Sequence, residues 1–537
     1  MALSPLRWSV PLLVAVVAGL AGCWASRPTP ADPEAADDPV WYEDVTAAVG
    51  LDFVHDPGPT GGYPAPQSMG SGCALFDCDG DGRLDLYLIH HGGPTGKKNQ
   101  LYRQTADGRF VDISAGSGLD IAGFNHGVAI GDVNNDGRPD VLLTQYGGIR
   151  LLLNRGGGRF EDVTGGSGLN NPLWGTSAAF VDYDRDGWLD LVVVNYLEYD
   201  PTVRCQNSKG QPDFCGPTSF RPVCSKLFRN RGPGKAADGT AVPVWFEDVS
   251  VASGIGRVPG PGLGVACADF DGDGWPDIFV SNDGQPNRLW INRRDGTFVD
   301  EAVARGVGYT AMGKAYAGMG VAVGDLTGHG LLDLYVTHLH TETHTLWRQG
   351  PRGQFQDQTA SAGLAASAWR GTGFGTLMTD SDLDGRLDIV VANGRVYRGG
   401  PATGTDLGFW ETYADRNQLF RNEGGGKLRD ISSANQAFCG VWNVARGLAA
   451  GDYDNDGAPD LLVCSIGAPA RLFRNVAPNR GHWLKVHAVD PRLKREAYGA
   501  EVRVRVKNSA RASAQPATSF MSSDDASAHL LEREERW

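Results

Sequence analysis

Beyond its first two dozen residues, the 537-residue chain has no apolar stretch long enough to span a bilayer as a helix. It has no Gly-x-Ser-x-Gly elbow, no phosphate loop and no dinucleotide fingerprint, so the local signatures of those hydrolase and nucleotide-binding folds are missing. Cys-x-x-Cys and paired His/Cys spacings are lacking too, which leaves no zinc-ligand pattern. Positive charge is scarce: 49 Lys and Arg face 63 Asp and Glu, and the formal charge of −14 disfavours nucleic acid as a partner. Helical periodicity is also wanting. Instead 74 glycines and 30 prolines punctuate short apolar runs, as in an all-β chain.

What the chain does have is one phrase written seven times, Asp-x-Asp-x-Asp-Gly-x-x-Asp. Copies start at Asp77, Asp132, Asp182, Asp269, Asp380 and Asp452, with a degraded one at Asp325. Alternate carboxylates on a tight loop converge on one point, and glycine at position six permits the turn. That donor set suits a hard, oxygen-seeking cation, above all Ca²⁺.

The candidate ligands fall into six sets. They are Asp77, Asp79, Asp81 and Asp85; Asp132, Asn134, Asp136 and Asp140; and Asp182, Asp184, Asp186 and Asp190. The others are Asp269, Asp271, Asp273 and Asp277; Asp380, Asp382, Asp384 and Asp388; and Asp452, Asp454, Asp456 and Asp460. The copy at Asp325 puts Thr327 and His329 at ligand positions, and imidazole suits Ca²⁺ poorly. About six Ca²⁺ are therefore expected. The seven loops hold 25 of the 63 acidic residues, so the ions would nearly neutralise the chain.

An EF-hand would need a bidentate Glu at position twelve and flanking helices. Here β-branched runs such as Val141-Leu142-Leu143-Thr144 follow position nine, so the loops join strand to strand. First aspartates are spaced by 55, 50, 87, 56, 55 and 72 residues. A period near 55 with four strands per unit predicts a seven-bladed β-propeller. The fourth-strand pattern also precedes the first loop, as Trp41-Tyr42-Glu43-Asp44-Val45-Thr46, and is missing after Leu472-Phe473-Arg474-Asn475. The first segment is thus predicted to close the seventh blade, removing the open sheet edges.

Five residues past each ninth position stands a polar residue: His90, Gln145, Asn195, Asn282, His338, Asn393 and Ser465. They fall at the end opposite the loops, from which insertions of about 196–226 and 394–417 also leave. This end is the expected recognition face; the alternative is that strand ends are polar to satisfy turns. Tyr196, Tyr199, Trp410 and Tyr413 are its candidate aromatic contacts. His338, His340 and His344 read as exposed loop residues. Cys205 and Cys215 are expected to form a disulfide that staples the first insertion, with most other cysteines as buried thiols.

Arg7, the apolar run from Val10 to Val17 and Leu20-Ala21-Gly22-Cys23 read as an export signal. The tetrad resembles a bacterial lipobox, implying lipidation of Cys23; an ordinary signal peptide is the alternative. The expected organisation is signal peptide 1–22, tether 23–40, propeller 41–478 and a small C-terminal β module 479–537.

Taken together, the seven loops, the Leu-Phe-Arg-Asn and Phe-x-Asp-Val-Thr pairs, His482-Trp483-Leu484-Lys485-Val486 and Tyr498-Gly499-Ala500-Glu501-Val502 resemble FG-GAP/VCBS repeat proteins with a C-terminal ASPIC/UnbV module, the bacterial relatives of cartilage acidic protein. In integrin α-chains such repeats form propellers whose loops bind Ca²⁺. The family's strand-rich continuation after His529 is absent, so the last module reads as truncated. The leading expectation is a non-enzymatic, Ca²⁺-stabilised cell-surface protein that binds a protein or glycan and touches membrane only through its lipid anchor. An extracellular enzyme acting on polysaccharide is the alternative, and a structural envelope component a third.

Overall fold

Each apolar run that follows an aspartate loop becomes the second strand of a four-stranded antiparallel sheet, and seven such sheets form. A computed structural model describes residues 38–483 apart from 237, 368, 403 and 479, together with Val489–Asp490, Arg495–Glu496, Glu501–Arg503 and Pro516–Thr518. The signal peptide, Cys23 and most of the tether lie outside the described residues, as does most of 479–537. Among the described residues no helix is long and apolar enough to cross a membrane.

Blade 1 runs Cys73–Phe76, Asp85–Leu88, Gln100–Gln104 and Phe110–Asp112, paired in that order from the innermost strand outward. Blades 2 to 6 repeat this plan from innermost strands Asn125–Gly131, Gly175–Val181, Gly262–Ala268, Val321–Gly324 and Gly373–Thr379. Blade 7 is made from both ends of the chain. Its inner strands, Ala445–Gly451, Asp460–Ser465 and Arg471–Asn475, are completed by Tyr42–Asp44, with Tyr42 opposite Asn475 and Asp44 opposite Phe473. The predicted closure is present.

The period-two pattern explains the core. Both faces of each sheet are apolar because each packs on a neighbouring blade. Between blades 1 and 2, Phe76, Tyr87 and Leu101 meet Val128, Val141 and Leu152. Between blades 7 and 1, Leu462, Cys464 and Leu472 meet Leu75, Leu86 and Leu88, so the ring has no open seam. Burying such side chains contributes about 1.5–3 kcal/mol each, which makes the inter-blade wedges the main source of stability.

The two insertions fold onto each other. That of blade 3 carries the hairpins Leu197–Glu198 with Arg221–Pro222 and Cys205–Gln206 with Pro212–Asp213, the latter closed by a Cys205–Cys215 disulfide. That of blade 6 carries a 3-10 turn, Gly408–Tyr413. Tyr413 Oη donates to Asp213 Oδ1 at 2.7 Å, the Arg398 backbone N–H donates to Asp213 Oδ2 at 3.1 Å, and Phe214 stacks on Trp410. Tyr63, from the segment that precedes blade 1, packs edge-on against Phe214. Because blades 3 and 6 are not neighbours, the joined insertions form a cap over the propeller end opposite the aspartate loops.

Candidate metal centres

Each loop is held open by its own backbone before any cation is considered. The first aspartate accepts the N–H of the sixth-position glycine, as in Asp77 Oδ2 with Gly82 at 2.7 Å and Asp380 Oδ2 with Gly385 at 2.8 Å. That glycine has positive φ in every copy, and so does position four, including the non-glycines Asn135, Arg185, Leu383 and Asn455. The sequence signal at position six was legible. The one at position four, where Gly or Asn stands in five of seven copies, was missed.

The ninth aspartates do something the sequence did not announce. All seven are buried, and each clamps two strands. One oxygen accepts the N–H of loop position two, at 2.9–3.2 Å. The other accepts the N–H of an Asn or Gln on the third strand, at 2.7–2.9 Å. In blade 6 Asn422 lies just before the end of Gln418–Gly424, and in the other six blades that residue ends the strand. Its side-chain amide donates across the interface to the position-two carbonyl of the preceding blade's loop, at 2.8–3.0 Å. The bonds therefore run unbroken through Gln104, Asn154, Asn230, Asn292, Gln349, Asn422, Asn475 and back to the first blade.

Carboxylate groups sit close enough to share an ion. Asp77, Asp79 and Asp85 each offer an oxygen within 4.8 Å of the others, as do Asp182, Asp184 and Asp190; Asp269, Asp271 and Asp273; and Asp380, Asp382 and Asp388. The polar accounting fits a hard cation. The third-position carboxylates Asp79, Asp271 and Asp382 each bury one oxygen with no hydrogen-bond donor. Burial, then the neighbouring carboxylates Asp81, Asp273 and Asp384, raise those same three groups. A divalent ion at each loop would reverse that shift by supplying positive charge to acceptor-only oxygens.

Part of this charge is met by arginine. The Arg of the Leu-Phe-Arg-Asn pattern reaches the third-position carboxylate of its own blade, as Arg229 to Asp184 at 2.5 Å, Arg421 to Asp382 at 2.9 Å and Arg474 to Asp454 at 2.7 Å. Arg480 makes a two-oxygen contact with Asp456 at 2.9 and 3.1 Å. The acidity of the loops is thus shared between arginines and cation capacity, a correction to reading it as cation demand alone.

In the loop at Asp325 an imidazole stands where the other copies carry a carboxylate. His329 Nδ1 lies 2.8 Å from Asp325 Oδ1, and Nε2 lies 2.9 Å from the Gln349 carbonyl. Burial lowers the imidazole's pKa, but the Gln349 and Asp325 hydrogen bonds and the Asp333 charge outweigh it, and the net shift is upward. Thr327 Oγ1 also lies 2.8 Å from Nδ1, so the ring fills the loop among Asp325, Thr327 and Asp333, where the other copies gather carboxylates. Replacing Thr327 and His329 together with Asp should add about one Ca²⁺ equivalent to dialysed protein by elemental analysis. Unchanged stoichiometry in the folded double variant would count against this account.

At the opposite end, the expected polar ring is internal. His90, Asn195, Asn282, His338 and Asn393 are 0–1% exposed, and Gln145 is half-buried. His90 Nδ1 accepts the Asp56 N–H; Asn195, Asn282 and Asn393 donate to the carbonyls of Cys224, Pro286 and Arg416; Gln145 donates to Asn125 Oδ1. His338 contacts the Ala317 carbonyl and Thr345 Oγ1, and His344 is buried beside it, so neither is an exposed loop residue. Tyr196, Trp410 and Tyr413 are buried in the cap as well. The turn-satisfying alternative describes this ring.

The FG-GAP-like repeat family matches residues 77–143, 132–193, 269–336 and 403–463, which take in every aspartate loop except the one at Asp380. The chain carries FG-GAP repeats. Human cartilage acidic protein 1 is 28% identical over 250 residues, covering 45% of this chain and 34% of the relative. The Xenopus tropicalis protein of the same name is 27% identical over 272 residues, covering 49% and 38%. The chain thus spans little more than a third of the length of these curated relatives. Among solved structures, an Agrocybe aegerita protein described as recognising non-reducing terminal N-acetylglucosamine aligns at 16% identity and TM-score 0.37, covering 68% of this chain and 81% of that one. The complex of BBS1N with ARL6DN aligns at 12% identity and TM-score 0.36, covering 82% and 98%. The propeller assignment rests on the strand pairing of this chain itself.

Proposed function

We propose that this FG-GAP protein is an exported, Ca²⁺-stabilised propeller that binds a protein or glycan at the cell surface through its capped end, with Cys23 as its lipid anchor. The observation that carries the reading is the cap. Two long insertions from blades 3 and 6 fold into one ordered unit around Phe214, Trp410 and Tyr413, and one of them is disulfide-closed. Extra chain built this way on a rigid scaffold is the usual form of a recognition surface. The exposed tip Ser208–Gln211 and the half-exposed Tyr397 lie on these insertions.

A glycan array and an envelope pull-down, each with and without Ca²⁺, should identify a partner. Deleting 200–222 should then abolish binding while the cation-dependent melting of the propeller survives. Binding that persists in the deletion but disappears when the exposed outer-strand residues Val111 and Val299 are replaced would put recognition on the rim and refute the proposal.

One observation favours the enzymatic reading. Asp283 accepts a 2.6 Å hydrogen bond from Tyr196, and burial pushes its carboxyl up to about 6, with the Glu342 charge adding to the rise. A carboxyl so poised can serve acid–base chemistry. Polysaccharide cleavage that is lost in Asp283→Asn would establish that reading over the binding one.

A further inference from the structure

We propose that the capped end carries a second kind of metal centre, a site for an imidazole-preferring d-block cation held by His91 and His126. His91 follows the second strand of blade 1, and His126 lies on the innermost strand of blade 2. Both are interior, 1% and 5% exposed. Their ring centroids are 4.6 Å apart with planes inclined by 60°. Two imidazoles sharing an ion through bonds of about 2.0–2.1 Å place their centroids roughly 4.5–5.2 Å apart, and the separation of this pair falls in that range.

The hydrogen-bond accounting supplies the independent observation. His91 Nδ1 lies 3.0 Å from the Asn125 carbonyl, which can only accept, so Nδ1 carries the proton and Nε2 presents a bare lone pair. That Nε2 is buried and has no partner. In His126 the Met69 backbone lies close enough to favour the charged ring, yet neither nitrogen makes a hydrogen bond of ordinary geometry. Trp174, whose ring centre is 5.6 Å from that of His126, also buries its indole N–H without an acceptor. Native interiors seldom leave such a group of polar atoms unsatisfied without an ion or water among them.

His91 also follows the pattern of a ligating histidine, which hands one ring N–H to a carbonyl and leaves the other nitrogen for a metal. Trp174 N–H is a donor suited to a water on that ion. Burial holds His91 down to about 4 and His126 well below the ordinary imidazole range, so both rings are neutral near pH 7 and available as ligands. Nitrogen donors select a different class of ion from the all-oxygen loops at the other end.

The test uses the full chain, stripped with EDTA and refilled with millimolar Ca²⁺ to occupy the loops. Equilibrium dialysis against micromolar Zn²⁺ or Co²⁺, followed by elemental analysis, should retain about one d-block equivalent beyond Ca²⁺. X-ray absorption of the Zn²⁺-loaded, unaltered protein should show imidazole scattering. His91→Gln and His126→Gln should each weaken retention about tenfold or more. Melting temperature and Ca²⁺ content of each variant are read alongside, and the X-ray signal of the unaltered protein decides the matter if a variant misfolds. No retained ion, a retained ion with only oxygen ligands, or undiminished retention in folded variants would overturn the assignment.

Discussion

Stripping divalent cation from the aspartate loops is expected to lower the propeller's melting temperature by on the order of 10 °C or more at pH 8 and by much less at pH 5. The size follows from mass action: an ion held at about a hundred times its dissociation constant stabilises the folded state by ~2.7 kcal/mol per site, and six loops carry intact donor sets. The pH dependence follows from burial, which pushes the carboxyls of Asp85 up to about 6, Asp380 to about 7 and Asp277 to about 8. In the unfolded chain such groups titrate near 3.9. Between that value and about 8 the cation-free folded protein holds more protons than the unfolded one, so raising pH through this window costs it stability. Cations need the same groups ionised, so their stabilisation grows over the same window. Thermal melts of resin-stripped protein with and without 1 mM CaCl₂, at each pH unit from 5 to 8, measure the gap. A gap that is absent, or wider at pH 5 than at pH 8, would sink the claim.

The loops, the period and the closure of blade 7 by Trp41–Thr46 were legible because they are local or periodic signals. A nine-residue phrase fixes its own turn, and a strand pattern offset by one unit from seven loops leaves a single place for the spare strand. The amide ring was half-legible. The third strand visibly ends in Asn or Gln, but the acceptor of Asn154 is the Cys78 carbonyl, 76 residues away, and that of Gln104 is the Tyr453 carbonyl at the other end of the chain. No local pattern announces such a partner.

The capped end misled sequence reasoning for a related reason. A polar residue closing an apolar strand looks exposed when the strand is considered alone. Whether Asn195 or Asn393 meets water depends on where insertions of about twenty to thirty residues settle, and they settle over it. His91 and His126 were passed over because they lie 35 residues apart with no spacing pattern between them; only the packing of blade 1 on blade 2 brings the rings together.

Within one loop, replacing the third and ninth aspartates should give opposite results in cation-free protein. Asp382, at position three, buries one oxygen without a donor and is repelled by Asp384. Asp382→Asn removes that repulsion and the burial of a charge together with the Arg421 ion pair. Since the net shift of the carboxyl is upward, cation-free stability should stay level or rise by up to ~1 kcal/mol while the loop's capacity for a cation falls. Asp388, at position nine, accepts the Ser381 N–H at 3.0 Å and the Asn422 N–H at 2.9 Å. Asp388→Ala orphans both donors in the interior, at a cost on the order of 2–5 kcal/mol. It also frees the backbone of Asn422, whose amide ties blade 6 to the Leu326 carbonyl of blade 5 at 2.8 Å. Urea melts without cation separate the two substitutions, since only the second should shift the midpoint downward. Equal losses would mean that the third position is part of the scaffold. No loss from Asp388→Ala would mean that the hydrogen-bonded ring contributes nothing to holding the blades together.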